Sequence, residues 1–249
     1  MNTAVVTLSD DTRLPHVRRQ VAALRRWSPG ITHYRGQLGG DRNLARTRNA
    51  AAQAALADGA EFLVFLDADC IPGPGLVSGY IDAARQRPGE IYCGPVTYLD
   101  PSPEGGYRLD ELTGQTSPHR ARPNPSPGEL VPGTRDQWDL FWSLSFAVDA
   151  DTWRAGGGFD ESYTGYGGED TDFAYRQREL GQRLCWVGGA HAYHQWHPVS
   201  SPPWEHLDDI LANAARFHRK WGVWPMGGWL DAFEQAKAIE FDGERWRRR

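Results

Sequence analysis

Two aspartates separated by one alanine, Asp67 and Asp69, follow the strand-like segment Glu61 to Leu66 (EFLVFL), apolar from Phe62 onward. Alternate residues of an extended chain point the same way, so both carboxylates can address one site. Two close carboxylates repel unless a cation lies between or beside them, and a hard divalent ion with phosphate oxygens as co-ligands answers that need. Alone, the pair also reads as turn-forming aspartates. Its place at a strand's carboxyl end, where open parallel sheets bind ligands, favours the site. A second acidic cluster follows paired glycines: Gly156-Gly157-Gly158-Phe159-Asp160-Glu161, then Gly165-Tyr166-Gly167-Gly168-Glu169-Asp170-Thr171-Asp172. Glycine lets a backbone approach a ligand closely and adopt positive φ. Glu169, Asp170 and Asp172 suit a helix N-terminus, which stabilises negative charge. The third group is His191, His194 and His197, three of the chain's eight histidines within seven residues. Imidazole is a good ligand for manganese and other transition metals.

These residues need a scaffold that brings three distant segments together, and the first half of the chain alternates strand and helix signals. Val5 to Leu8 reads as a buried strand. Leu14, Val17, Val21 and Leu24 recur at helical spacing, and Ile31 to Tyr34 suits a second strand. Asn43 to Ala57 reads as a helix stopped near Gly59, Leu76 to Arg87 as another, and Ile91 to Val96 as a strand. This order predicts an α/β fold with a mixed, mostly parallel sheet flanked by helices. Residues 100–137 are rich in Pro, Gly, Ser and Arg and read as an insertion within one domain. Strand-like sequence resumes at Phe141 to Val148. A short helix over Asp151 to Arg154, a helix from Glu169 to Gly181 and a strand at Arg183 to Val187 follow. The helical stripe Trp204, Leu207, Ile210, Leu211, Ala214, Phe217 and Trp221 is expected to pack onto the sheet. The basic C-terminus, Arg245-Trp246-Arg247-Arg248-Arg249, reads as a frayed, solvated tail.

Composition narrows the function. The net charge of -5 lacks the basic surplus of a nucleic-acid binder. The skew to 25 Arg against 2 Lys reads as genomic base composition. Three cysteines without a C-x-x-C pair fit a reducing compartment. No apolar run approaches membrane length, and the start carries no basic segment before its short apolar run, so a cytoplasmic protein is expected. Eleven tryptophans offer faces for sugar rings, although tryptophan is also a common core residue.

The strand-FLDAD-loop segment resembles the D-x-D element of GT-A glycosyltransferases, particularly the inverting family-2 type. By that resemblance the fold is a Rossmann-like GT-A domain spanning 1–249. About 1–99 would bind a nucleotide sugar, and about 138–249 would bind the acceptor. Asp69 would ligate Mn2+ or Mg2+, and Asp67 would contact the nucleotide with Thr7, Ser9, Arg46 and Asn49. The stretch GGFDE-(x)3-GYGGEDTDF is similar to the acceptor-side motif of β-1,4-galactosyltransferases and to the C-terminal region of polypeptide N-acetylgalactosaminyltransferases. The resemblance implies Asp170 as catalytic base. It places Glu169, Tyr166, Gly168 and Trp142 around the acceptor, with Tyr166 standing where that family has Trp and Thr171 where it has Asp. The histidine cluster matches the position of a further metal ligand, with His194 first and His197 second, while His191 is expected to be structural. The segment Arg216 to Gly222 resembles bacterial members. The implied activity is metal-dependent inverting transfer of a hexose or N-acetylhexosamine, galactose-type favoured, from a UDP-sugar to an acceptor hydroxyl. A sugar nucleotidyltransferase would want a glycine-rich basic loop after the first strand, which Ser9 to Arg13 lacks. An inactive carbohydrate-binding protein predicts loss of an acidic motif, yet both are intact.

Overall fold

The computed structural model describes residues 1–249. Its first half runs β1 (Thr3–Ser9), α1 (Leu14–Trp27), β2 (Thr32–Gln37), α2 (Leu44–Ala57), β3 (Phe62–Leu66), β4 (Cys70–Pro72), α3 (Leu76–Gln86), β5 (Glu90–Cys93) and β6 (Val96–Tyr98). The second half runs β7 (Leu130–Pro132), β8 (Ser145–Asp149), α4 (Ala150–Gly156), α5 (Glu169–Glu179), β9 (Arg183–Val187), β10 (Ala192–His194), α6 (Leu207–Trp221), α7 (Gly227–Gln235), β11 (Ile239–Phe241) and β12 (Trp246–Arg248). The run expected as one strand over 91–96 is two. Pro95 lacks a ladder donor, and a side chain on Gly94 would collide with the Ala190 carbonyl.

The main sheet has the order β2-β1-β3-β8-β5-β9-β7. Five strands run one way, and β8 and β7 run against them. Alternation along β3 divides its side chains between two cores. Leu63 and Phe65 pack with Phe146, Trp153, Phe159 and Phe173. Phe62, Val64 and Leu66 pack with Leu76, Val77 and Tyr80. With both faces covered, β3 is apolar throughout, which is what made it legible.

A second, three-stranded sheet, β4-β10-β6, sits where the acidic triplet ends. β10 lies antiparallel to β4 with His194 opposite Cys70, and parallel to β6 with His194 opposite Tyr98. The Gln195 amide donates to the Asp69 carbonyl at 2.7 Å. This register joins Asp69 to a histidine 125 positions later in sequence.

The insertion over 100–137 folds back onto the domain. Its His119 amide donates to the Val96 carbonyl at 2.8 Å. Arg122 is buried, with its guanidinium 5.3 Å from the Trp142 ring and 5.2 Å from that of Trp186. Its end supplies edge strand β7, antiparallel to β9. Too short for a periodic signal, this strand escaped the sequence reading.

Two expectations for the C-terminus are corrected. The stripe on α6 does not pack onto the main sheet; Leu207, Ile210 and Ala214 form a separate core with Leu230, Phe233 and Ile239. The last arginines are not a frayed tail. β12 pairs with β11, Arg248 forms an ion pair with Asp208 at 2.8 Å, and the Arg249 amide donates to the Ala238 carbonyl. Each arginine found a local carboxylate, a pairing that composition alone does not reveal. No helix is long and apolar enough to cross a membrane.

Candidate active site

At the end of β3 the chain turns sharply. The Asp67 amide donates to the Leu144 carbonyl, and the Cys70 amide to the Asp67 carbonyl, both at 2.9 Å. Gln20 of α1 is fully buried and holds this turn, its Nε2 donating to the Asp67 carbonyl at 2.7 Å and the Cys70 carbonyl at 2.9 Å. Thr7 Oγ1 lies 2.9 Å from both Gln20 Oε1 and the Leu66 carbonyl. The turn that aims both aspartates is therefore supported by hydrogen bonds from the elements beneath it.

Asp69 meets the histidine cluster. Its Oδ1 lies 3.5 Å from His194 Nε2, and its Oδ2 lies 3.3 Å from His197 Nε2. Ligand atoms of all three residues lie within 4.8 Å of one another. One carboxylate oxygen and two imidazole nitrogens form a donor set that suits manganese, with room for oxygen co-ligands. Burial acts to raise the Asp69 carboxyl, but the hydrogen bond from His197 and the charges of His194 and Arg13 outweigh it and hold it at about 2. His191 is apart from this set. It is buried, 2.7 Å from Thr97 Oγ1, and burial lowers it to about 4.

The second acidic motif opens α5. Gly168 is its buried N-cap, and Glu169, Asp170 and Asp172 occupy the first turn, where the helix dipole favours them. Asp170 Oδ1 accepts from the Thr171 amide at 2.8 Å. Burial raises Asp170, with that hydrogen bond opposing. Burial and the neighbouring Asp170 push Glu169 to about 7, against the charge of Arg48. Burial also raises Asp67, which Arg48 opposes and the charges of Asp69 and Asp170 reinforce. The two acidic motifs therefore share one electrostatic site.

Arg48, on α2, joins them. Its guanidinium is buried, 3.4 Å from Asp67 Oδ1, 3.7 Å from Glu169 Oε1 and 4.6 Å from the Phe159 ring centre. Arg46 and Asn49, the nucleotide contacts expected from the same segment, have other partners in the structure. Arg46 is exposed and pairs with Asp41. Asn49 is engaged by the glycine loop: its Nδ2 donates to the Phe159 carbonyl and Glu161 Oε1, and its Oδ1 accepts from the Phe159 amide. The missed signal was helix phase. Arg48 shares the buried stripe of Ala45, Ala52 and Ala55, whereas Arg46 lies about 200° around the helix. Thr7 and Ser9, the other expected nucleotide contacts, also have partners within the fold. Both are buried on one side of β1, with Thr7 bonded as above and Ser9 Oγ accepting from Arg35 at 3.3 Å.

Helix α6 templates the loop between the motifs. The Tyr166 amide donates to Asp209 Oδ2 at 3.2 Å, and Asn213 Nδ2 donates to the carbonyls of Thr164 at 2.9 Å and Tyr166 at 3.2 Å. Gly165, at φ +69°, leaves space that any Cβ would take from the Asp209 carboxylate. Fully buried Asp172 accepts from Lys220 Nζ, Trp221 Nε1 and Tyr163 Oη. Asp172→Ala is expected to cost about 1–3 kcal/mol, because it leaves the Tyr163 and Trp221 donors without their acceptor, while exposed Lys220 keeps Asp160. Urea denaturation checks this, and a loss below about 1 kcal/mol would contradict it.

Around this centre, Tyr166 is 36% exposed and stacked on His206 with ring centres 4.4 Å apart, so one of its faces is already occupied. Trp229 of α7 lies 5.7 Å from the same ring. Trp142 packs between His119 at 5.0 Å and Arg122. Tyr98, half exposed, lies 4.7 Å from the His194 ring. His206, Trp229 and Tyr98 gave no motif signal, since each comes from a separate element.

The family described as glycosyl transferase family 2 matches residues 5–137, and that described as the N-terminal domain of galactosyltransferase matches residues 131–198. Validoxylamine A glucosyltransferase of Streptomyces hygroscopicus subsp. jinggangensis is 30% identical over 198 residues, which cover 71% of this chain and 44% of that protein. The chain thus spans under half the length of the curated relatives it matches. Among solved structures, S. aureus TarS in complex with UDP-GlcNAc is similar at a TM-score of 0.56 and 10% identity, covering 88% of this chain and 67% of that one. A mutant of Drosophila β1,4-galactosyltransferase 7, in complex with manganese, UDP-Gal and xylobiose, is similar at a TM-score of 0.50 and 18% identity, covering 80% and 72%. At such identities the likeness shows the fold, the GT-A arrangement expected from the sequence.

Proposed function

The chain belongs to glycosyl transferase family 2, which matches more than half its length, and from that premise we propose that it is a metal-dependent, inverting glycosyltransferase. The donor is a UDP-linked hexose or N-acetylhexosamine, and the acceptor is a carbohydrate or another hydroxyl-bearing molecule. The match of residues 131–198 to a galactosyltransferase domain favours a galactose-type sugar. One observation carries the reading: Arg48 bridges Asp67, beside the Asp69–His194–His197 donor set, to Glu169, beside Asp170 at a helix N-terminus.

Asp69, His194 and His197 would hold Mn2+, with Mg2+ as the alternative. A bound divalent cation supplies charge to offset that developing on a departing diphosphate. Asp170 is the base. The Thr171 amide fixes one of its oxygens, and the carboxylate takes the proton of the acceptor hydroxyl. Burial makes it a stronger base than a free aspartate. As the acceptor oxygen bonds to the anomeric carbon, Asp170 takes its proton. The carbon–oxygen bond to the diphosphate breaks on the opposite face, and its electron pair stays on the diphosphate oxygen. Glu169 faces the acceptor side with Tyr166, and Arg48 keeps Asp67 aimed at the nucleotide.

UDP with Mn2+ is expected to raise the melting temperature by about 5 °C or more at a hundredfold excess over Kd. Neither UDP with a chelator nor Mn2+ alone should match it. No shift with both together would remove the nucleotide-sugar reading.

A further inference from the structure

Arg13 has no part in the reading above, yet its guanidinium reaches the donor set. It closes the single turn after β1, where Asp10 Oδ1 accepts from the Thr12 and Arg13 amides. Its Nη1 lies 4.0 Å from Asp69 Oδ2 and its Nη2 lies 3.4 Å from His197 Nδ1, with the side chain 32% exposed. A guanidinium only donates. Where Arg13 donates to it, His197 Nδ1 accepts and the ring hydrogen is on Nε2, facing Asp69 Oδ2 at 3.3 Å; in the other tautomer Nδ1 carries the hydrogen.

A cation on His197 Nε2 requires that nitrogen's lone pair. The hydrogen of the neutral ring then sits on Nδ1, which can no longer accept from Arg13. An acceptor for it is already in place, the Pro198 carbonyl 3.2 Å away. The Arg13–His197 contact and metal ligation through Nε2 therefore exclude each other. A cation also repels the guanidinium, so loading the donor set releases Arg13 beside it. A divalent ion balanced by one carboxylate retains a single positive charge, too little to neutralise a nucleoside diphosphate. A free guanidinium matches phosphate oxygens in geometry as well as charge.

We propose that Arg13 is a diphosphate-binding residue that His197 holds in reserve until the cation is bound. This rests on the nucleotide-sugar reading of the same site. It predicts effects of opposite sign for two ligands in Arg13→Ala. Mn2+ without nucleotide should bind about threefold tighter, because a competing cation is gone. UDP at saturating Mn2+ should bind about tenfold weaker, and uridine should bind as in the wild type. Arg13→Lys should retain part of the UDP affinity.

Free Mn2+ can be followed by its electron paramagnetic resonance signal, and UDP and uridine by calorimetry. Unchanged UDP affinity in Arg13→Ala would overturn the proposal. So would weaker binding of Mn2+, UDP and uridine together, which would mean that Arg13 only shapes the turn. If the wild type itself binds no UDP in the presence of Mn2+, the underlying reading fails, and the wild-type titration reveals this before any variant is compared.

Discussion

Asp170→Asn is expected to lower turnover about a thousandfold while UDP affinity in Mn2+ stays within about twofold of wild type. The substitution preserves size and keeps an oxygen to accept from the Thr171 amide, so the start of α5 should not change. It removes the capacity to take a proton, together with one negative charge beside Glu169 and Asp67. Neither Arg48, which pairs with Asp67 and Glu169, nor the Asp69 donor set makes a direct contact with Asp170 that the change would break. Single-turnover rates with saturating donor, alongside calorimetric UDP affinity, separate the two effects. Equal losses in both would remove Asp170 as the base. Glu169→Gln is the informative companion. Glu169 accompanies Arg48 and is pushed to about 7 by burial and by Asp170. Its replacement should weaken acceptor binding more than turnover.

Most of the scaffold was legible because its elements carry strong, local signals. β3 is apolar on both faces, α1 repeats at helical spacing, and the break between α4 and α5 is marked by glycines. The identities of the acidic and histidine motifs were legible for a similar reason: they are contiguous in sequence. What joins them is not. Asp69 meets His194 through the register of β4 with β10, and no local pattern specifies a pairing between strands of three residues. β7, β11 and β12 were lost to the same brevity.

Residue type and proximity in sequence point to Thr7, Ser9, Arg46 and Asn49, but they do not say which side of its element each residue occupies. Polar groups next to a site are often used to build it. Thr7 and Gln20 hold the acidic turn, and Asn49 holds the glycine loop through both its amide atoms. Arg48 was overlooked because an arginine on a buried alanine stripe looks like a break in the pattern. Such a break is informative, since a buried cation requires partners, and here the partners are the two acidic motifs. The C-terminal module was undervalued for a related reason. The stripe of α6 reads simply as core, while its polar residues, Asp209, Asn213 and Lys220, position the loop that carries Asp170.

The second large effect distinguishes the two aspartates of the triplet. Asp69→Asn is expected to weaken Mn2+ binding at least about a hundredfold, and with it turnover. Loss of an outer-shell partner costs ten- to a hundredfold in affinity, and loss of a direct carboxylate ligand should reach at least the upper end. Asp69 alone among the carboxylates joins both histidines, through Oδ1 to His194 and Oδ2 to His197. Its position near 2 means that it stays ionised at any working pH, so the substitution removes a full charge and not a partly protonated one. Asp67→Asn should behave differently. Asp67 pairs with Arg48 and lies outside the donor set, so Mn2+ affinity should change by less than about threefold while UDP affinity falls by about tenfold. Direct Mn2+ titration of both variants decides the assignment. Equal losses of Mn2+ binding would mean that the two carboxylates hold the ion jointly, and would overturn the separate roles assigned to them.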